Sequence, residues 1–228
     1  MKHLTGFVLL LLMACPVQAQ DDPEYRMEIG GGVGALTYEG DFNGHPLRHM
    51  QPAVTLAGKY VLDPYMAFRL AVTAGKLKGT SADVSTYYPA VASGRYTFSN
   101  TLTDVSLTYE YNFFPYGTGR DYRGSRRLTP FVFGGIGFTA VTGSGTNVFT
   151  GSIPIGIGAK YKVSERVNMG WEWVVHFSMS DRLDGVKDPY GVKSTGLFKN
   201  TDGYSLFRLT LTYSLSPKCR TCNKDTDD

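Results

Sequence analysis

The stretch from residue 168 to residue 178 reads NMGWEWVVHFS and decides the fold of this chain. Its apolar side chains take every second position, and small or polar residues fill most of the positions between them. A period of two residues indicates a β-strand with one apolar face. The apolar positions are Met169, Trp171, Trp173, Val175 and Phe177, and the other face carries Gly170, Glu172, His176 and Ser178.

The composition of the two faces favours a membrane barrel over a soluble one. If strands of this kind close into a barrel, the glycines and charges of one face must share the interior, and the apolar face must point outward. This is the polarity of a transmembrane β-barrel. A soluble lipocalin-type binder would need the apolar faces turned inward and a polar exterior.

Eight segments of the chain are predicted to be strands. They are 27–36, 53–62, 66–76, 102–113, 130–140, 152–162, 168–178 and 204–214, of which the first and fifth are rich in glycine. Short connections at 63–65 and 164–166 alternate with longer ones at 37–51, 77–101, 141–151 and 179–203. Outer-membrane barrels place short turns in the periplasm and long loops outside. We therefore expect an all-β, eight-stranded antiparallel up-and-down transmembrane β-barrel with both termini in the periplasm.

The first nineteen residues have the pattern of a cleaved signal peptide. A basic start at Lys2 precedes an apolar stretch at 7–14, and small residues near Ala19 suit a cleavage site. The expected domains are thus a signal peptide at 1–19, a barrel at 20–215 and a periplasmic tail at 216–228. A second interpretation is a lipobox ending at Cys15, which would make the mature protein a lipoprotein. Loss of Lys2 changes the net charge from +3 to +2, which does not suggest a nucleic-acid partner.

Charged residues recur on the polar faces of the predicted strands. We expect these side chains to fill the interior and to pair with one another, because an eight-stranded barrel is only wide enough for its own side chains. Such a barrel is a poor pore. The predicted lumen network consists of Lys59, Arg69, Asp104, Glu110, Lys160, Glu172 and Arg208.

Two features of the predicted periplasmic side are candidate attachment sites. The connection 114–129 carries Arg120, Arg123, Arg126 and Arg127, which either contact solvent and lipid phosphates or form a docking patch. The tail carries Cys219 and Cys222, which could form an internal disulfide or a disulfide to a partner protein. Neighbouring cations lower the pKa of a thiol and favour disulfide exchange. Zinc would need two more ligands.

The sequence carries no strong sign of catalysis, a metal or a cofactor. His176 and Glu172 share one face of one strand, but residues four apart on a strand are about 13 Å apart, so a catalytic pair would need a second strand. His45 and His49 belong to no metal-ligand cluster, and the Gly-x-Gly runs lie inside strands. We therefore expect no enzyme activity and no cofactor. A small porin and a lipid-modifying barrel remain alternatives.

Aromatic residues cluster at the predicted periplasmic strand ends, where side chains of this type anchor barrels at the membrane interface. They are Tyr111, Phe113, Phe114, Tyr116, Tyr161 and Tyr213.

Several motifs together resemble one known family. They are EIGGGVGALTYEGDFNG at 28–44, LTYEYNFFPYG at 107–117, TPFVFGGIGF at 129–138, PIGIGAKYKVSERVNMGWEW at 154–173, the Asp-x-Leu-Asp stretch at 181–184 and the two terminal cysteines. On these motifs the chain resembles the PorG-like outer-membrane β-barrels of Bacteroidetes, which are associated with the type IX secretion system. Where such proteins continue Leu-Asp-Asp-Val-Ser, residues 183–187 read LDGVK.

The resemblance implies a function that the residues alone do not specify. It implies a non-enzymatic outer-membrane component of a protein secretion machine. Its partners would be outer-membrane lipid and a periplasmic ring, built from a lipoprotein and its partner protein, which the barrel would hold against the membrane.

Overall fold

The structure is a computed structural model, and it describes residues 25–40, 43, 48–80, 97–117, 125–143, 146–180, 182–183 and 202–217. This part of the chain forms one closed antiparallel barrel, in which each strand pairs with the next and the last pairs with the first. The strands are β1 (Tyr25–Glu39), β2 (Gln51–Val61), β3 (Met66–Thr80), β4 (Thr97–Asn112), β5 (Leu128–Gly143), β6 (Thr146–Lys162), β7 (Val167–Ser178) and β8 (Gly203–Pro217). None of the described residues belongs to a helix long and apolar enough to cross a membrane.

The eight-stranded antiparallel barrel predicted from the sequence is confirmed, but one predicted loop is wrong. The segment 141–151 is not a long connection, because β5 continues to Gly143 and β6 begins at Thr146, and these two residues pair directly. Threonines at 142 and 150 sit readily in strands, so a polar composition here does not end the ladder. Gly143 has a φ of 146°, which glycine adopts far more readily than other residues.

The two ends of the barrel carry different connections. We call the end with the connections 62–65, 113–127 and 163–166, where β1 begins and β8 ends, the turn side. The opposite end, with the connections 40–50, 81–96, 144–145 and 179–202, is the loop side. Most strands extend beyond the predicted bounds, chiefly toward the loop side.

Side chains alternate between a buried interior and an exposed apolar exterior. In β4 the alternation is unbroken from Thr97 to Asn112. Outward apolar residues such as Leu56, Ile136 and Trp171 are 53% to 72% exposed. Their inward neighbours Thr55, Gly137 and Glu172 are buried. Trp171 and Trp173 both face outward, as the alternation of their segment predicts.

Glycines on the interior side of β6 provide the space for two large rings from β5. Phe131 and Phe133 are buried and stacked, with centroids 5.7 Å apart. A Cβ built on Gly156 would lie 2.8 Å from Phe133 Cε1 and 2.7 Å from the Trp173 carbonyl oxygen. Gly158 makes the same kind of close approach to Phe131. Large side chains on one strand therefore fill the space that glycines leave on the next strand.

We predict that Gly156→Ala destabilises the barrel by about 1–3 kcal/mol, because the added methyl group overlaps a buried ring and backbone that have little room to move. The matched control is Gly58→Ala, where an added Cβ meets nothing within 4 Å. Urea unfolding of both variants in lipid vesicles measures the difference. Equal stability of the two variants would contradict this packing.

Candidate functional site

Six charged side chains from six different strands meet inside the turn-side half of the barrel. We call them the lumen ion cluster: Lys59, Arg69, Glu110, Lys160, Glu172 and Arg208, all of them buried. Two carboxylates organise the cluster. Glu110 lies within 3.1 Å of Lys59 Nζ, 3.3 Å of Lys160 Nζ and 2.9 Å of Arg69 Nη1.

The second carboxylate, Glu172, binds two guanidinium groups. Arg69 Nη1 donates to both of its oxygens at 2.8 Å. Arg208 approaches Glu172 Oε2 through Nε at 2.7 Å and through Nη2 at 2.5 Å. Arg69 thus links Glu110 to Glu172, and the six groups form one connected network across the lumen.

Aromatic rings also contact the cations of the cluster. Arg69 Cζ lies 4.4 Å from the centroid of the Phe133 ring, and Lys160 Nζ lies 4.9 Å from that of Phe131. Cation–π contacts of this kind are worth most where the ion is desolvated.

We predict that Glu172→Gln destabilises the barrel by about 3–5 kcal/mol, because it leaves Arg208 buried beside Arg69 without its countercharge. The double variant Glu172→Gln/Arg208→Gln should cost clearly less than the sum of its single variants, since Arg69 keeps Glu110 and the net charge of the lumen ion cluster is unchanged. A double-mutant cycle by urea unfolding measures this coupling. Strictly additive costs would show that the pair is not coupled.

A second polar cluster lies nearer the loop side, around Asp104. Oδ2 of this carboxylate accepts hydrogen bonds from Thr139 Oγ1 and Tyr204 Oη, both at 2.9 Å, and from Ser152 Oγ at 3.2 Å. His176 stacks on the Tyr204 ring with centroids 4.4 Å apart, and its Nδ1 lies 3.8 Å from Asp104. Asp104 is therefore separate from the lumen ion cluster, although the sequence grouped it with the other six charges.

This arrangement bears on the possibility of catalysis at His176. A second strand does bring a carboxylate to His176, as a catalytic pair would require. However, His176 and Asp104 point into the interior and are almost completely buried. A lipid-modifying enzyme needs its reactive groups at the surface that lipid can reach, and this cluster does not lie there.

The loop-side mouth is closed by an apolar cluster and one loop residue. The strand side chains in this layer are Leu36, Tyr38, Leu77, Phe98, Leu102, Val141 and Leu206, all buried. Leu183, from the connection between β7 and β8, is fully buried among them. Its amide donates to Asp202 Oδ2 at 2.8 Å, and its carbonyl accepts from Asn100 Nδ2 at 2.8 Å. Tyr38 Oη donates to the other oxygen of Asp202 at 2.5 Å.

We predict that Leu183→Ser releases this segment and exposes the bond after Arg182 to trypsin. Burial of a leucine is worth about 1.5–3 kcal/mol, so the open population, and with it the cleavage rate, should rise roughly ten- to a hundredfold. Met179→Ser is the control, because Met179 is exposed on the same connection. Mass spectrometry of the fragments measures cleavage at this bond, and unchanged cleavage would mean that Leu183 does not hold the segment.

Tyr116 closes the turn-side mouth. Its hydroxyl donates to Asn168 Oδ1 at 2.9 Å, and Lys160 Nζ lies 5.0 Å from its ring centroid. Its amide donates to the Pro64 carbonyl at 3.0 Å. Burial raises the pKa of the Tyr116 hydroxyl, and Glu28 and Glu110 raise it further, so this group stays a donor. The prediction that Tyr116 is an interfacial anchor is wrong, because the chain after β4 folds back across the mouth.

Two of the candidate attachment residues are described by the structure and lie at the turn side. Arg126 and Arg127 are exposed at the rim. Arg120 and Arg123, like Cys219 and Cys222, lie outside the described residues, as do Cys15 and the predicted signal peptide. Tyr111, Phe113, Phe114, Tyr161 and Tyr213 are exposed near the turn side.

Sequence reasoning missed the two residues that close the mouths. The Pro115-Tyr116 step directly after a strand indicates a chain that changes direction, but it does not show where the Tyr116 side chain points. Leu183 had only the signal of an apolar residue between charged neighbours in a long loop. Within the described part of the chain, no group of three or more His, Cys, Asp or Glu residues could hold a metal ion.

Solved structures of bacterial outer-membrane proteins have similar folds. Neisserial surface protein A (NspA) has a TM-score of 0.52 and 9% identity, with 83% of this chain and 97% of that chain covered. Ail, the attachment invasion locus protein of Yersinia pestis, has a TM-score of 0.46 and 7% identity, with coverage of 83% and 99%. The outer membrane enzyme PagL has a TM-score of 0.37 and 14% identity, with coverage of 82% and 99%. The similarity to NspA, whose TM-score exceeds 0.5, shows that this eight-stranded barrel has the fold of a bacterial outer-membrane β-barrel.

The family of the chain follows from its sequence. Residues 2–224 match the family described as "Domain of unknown function (DUF6089)", and the chain belongs to that family. No curated protein sequence matches the chain.

Proposed function

We propose that this protein is a non-enzymatic outer-membrane component of a type IX secretion machine, and that it anchors a periplasmic ring complex to the membrane. The single observation that carries the anchoring role is the filled lumen. The lumen ion cluster crosses the interior, and Tyr116 and Leu183 close its two mouths. In a barrel of this kind the outer surfaces can attach other molecules, and the filled interior keeps the barrel rigid.

The assignment to type IX secretion comes from the resemblance of the sequence motifs to PorG-like barrels. In that role both termini lie in the periplasm and the turn side faces the ring. The basic connection with Arg120, Arg123, Arg126 and Arg127 and the tail with Cys219 and Cys222 then emerge on the same side. The ring lipoprotein and its partner protein are the proposed partners.

The expected result of a pull-down from native membranes is co-purification of periplasmic proteins with the barrel. On non-reducing gels we predict a high-mass species that collapses with reductant, weakens with Cys219→Ser or Cys222→Ser, and disappears in the double variant. Either thiol can form a mixed disulfide while the other acts as the resolving thiol.

The matched control is Cys15→Ser, which removes a cysteine of the predicted signal peptide and should leave the high-mass species unchanged. If mass spectrometry finds Cys219 bonded to Cys222 in all molecules, and the double variant still co-purifies with its partners, the attachment is noncovalent. If no periplasmic protein co-purifies with the wild type in either redox state, the anchoring role is wrong.

A small porin is the second candidate function. The state of the lumen distinguishes the two, because a porin needs an open lumen and an anchor does not. Since the ion cluster and both mouths are filled, we expect the purified barrel to be silent in planar lipid bilayers. The control is the Tyr116→Ala/Leu183→Ala variant, which removes both mouth residues but keeps the ion cluster, and should also remain silent. Steady single-channel conductance of the wild type would favour a porin over an anchor.

A further inference from the structure

Arginines at the turn-side rim differ from those of the lumen in their partners. In the lumen, Arg69 and Arg208 bind carboxylates. Arg126, Arg127 and Arg166 form no ion pair with any acidic residue in the described part of the chain. These guanidinium groups are therefore available for an anion from outside the protein.

Arg166 is held in place against the outer surface of the barrel. Its Nη1 donates to Tyr213 Oη at 3.2 Å, and its Cζ lies 5.7 Å from the Tyr25 ring centroid. Its carbonyl accepts from the Ser214 amide at 2.8 Å, which fixes the turn to β8. Tyr213 faces outward and is 44% exposed at the turn-side end of the apolar exterior. The Arg166 guanidinium thus lies where the apolar surface ends.

Arg126 is held in a similar way at another part of the rim. Its amide donates to the Pro115 carbonyl at 2.7 Å, and its carbonyl accepts from Gly117 at 3.4 Å. Its Cζ lies 4.3 Å from the centroid of Phe114, whose ring is exposed. Phe113 beside it is also exposed, at 52%. Both arginines therefore combine a fixed backbone with an aromatic support at the rim.

We propose that Arg126 and Arg166 bind the phosphate groups of anionic phospholipids in the leaflet at the turn side. A guanidinium presents a planar fork of donors that matches a phosphate, and an aromatic support keeps that fork oriented. An anionic surface attracts basic groups held next to it, and the apolar exterior that ends at Tyr213 places lipid headgroups at this level. The inference rests on the proposed outer-membrane location.

This assignment divides the predicted docking patch. Arg126 belongs to the lipid contact, together with Arg166, which the sequence did not single out. Arg127, Arg120 and Arg123 remain candidates for contact with the periplasmic ring. The rim then fixes the depth of the barrel in the membrane, while the rest of the connection stays available to a partner.

The test is native mass spectrometry of the purified mature barrel after incubation with mixed micelles of phosphatidylethanolamine and phosphatidylglycerol. We expect the wild type to retain phosphatidylglycerol, and Arg126→Gln/Arg166→Gln to retain roughly tenfold less. The Arg126→Lys/Arg166→Lys variant keeps the charge but loses the fork, so its retention should be intermediate. Arg182→Gln removes one exposed positive charge at the loop side and should retain as much as the wild type. Micelles with phosphatidylcholine in place of phosphatidylglycerol should give little retention in any variant.

Equal retention of phosphatidylglycerol by the double Gln variant and the wild type would overturn the proposal. If that variant also loses periplasmic proteins from the pull-down, the arginines bind an acidic protein partner instead of lipid. Failure of the anchoring role is a separate result, because it removes the co-purified proteins from the wild type without changing its lipid retention.

Discussion

The narrow interior of an eight-stranded barrel is the constraint on which the rest of this structure depends. Such a lumen holds side chains and little else, so each charge that points inward must find its partner inside. Glu110 and Glu172 form ion pairs with four cations that come from four other strands. Because the lumen ion cluster joins six strands, it also fixes their register, and the outward apolar face follows from the alternation of the side chains.

The filled lumen directs any function to the surfaces of the molecule. Below the cluster Tyr116 covers the turn-side mouth, and above it the Asp104 cluster and the apolar layer around Leu183 complete the filling. What remains is a turn-side rim with exposed arginines, an apolar exterior and the loop side. An anchor uses the first two surfaces, which agrees with the role that the resemblance implies.

Most of the fold could be predicted from the sequence, because strands with one lipid-facing side alternate with a strict period. The seven inward charges were identified from this alternation. Their division into the ion cluster and the Asp104 cluster could not be, since it depends on which strands lie opposite each other. The composition of segment 141–151 predicts a loop because it contains serine and several glycines, although its threonines suit a strand. Tyr116 and Leu183 act outside regular strands, where no periodicity shows the direction of a side chain.

The polarity of the barrel is inverted relative to that of a soluble protein, with charges inside and apolar residues outside. The chain has two tryptophans, and both Trp171 and Trp173 lie on the outward face, so selectively excited tryptophan fluorescence reports on this face alone. The direct test is quenching of this fluorescence in vesicles that contain phospholipids brominated along their acyl chains, compared with quenching by aqueous iodide. We predict strong quenching by the brominated chains and little by iodide. Strong quenching by iodide with none from the brominated lipids would contradict it.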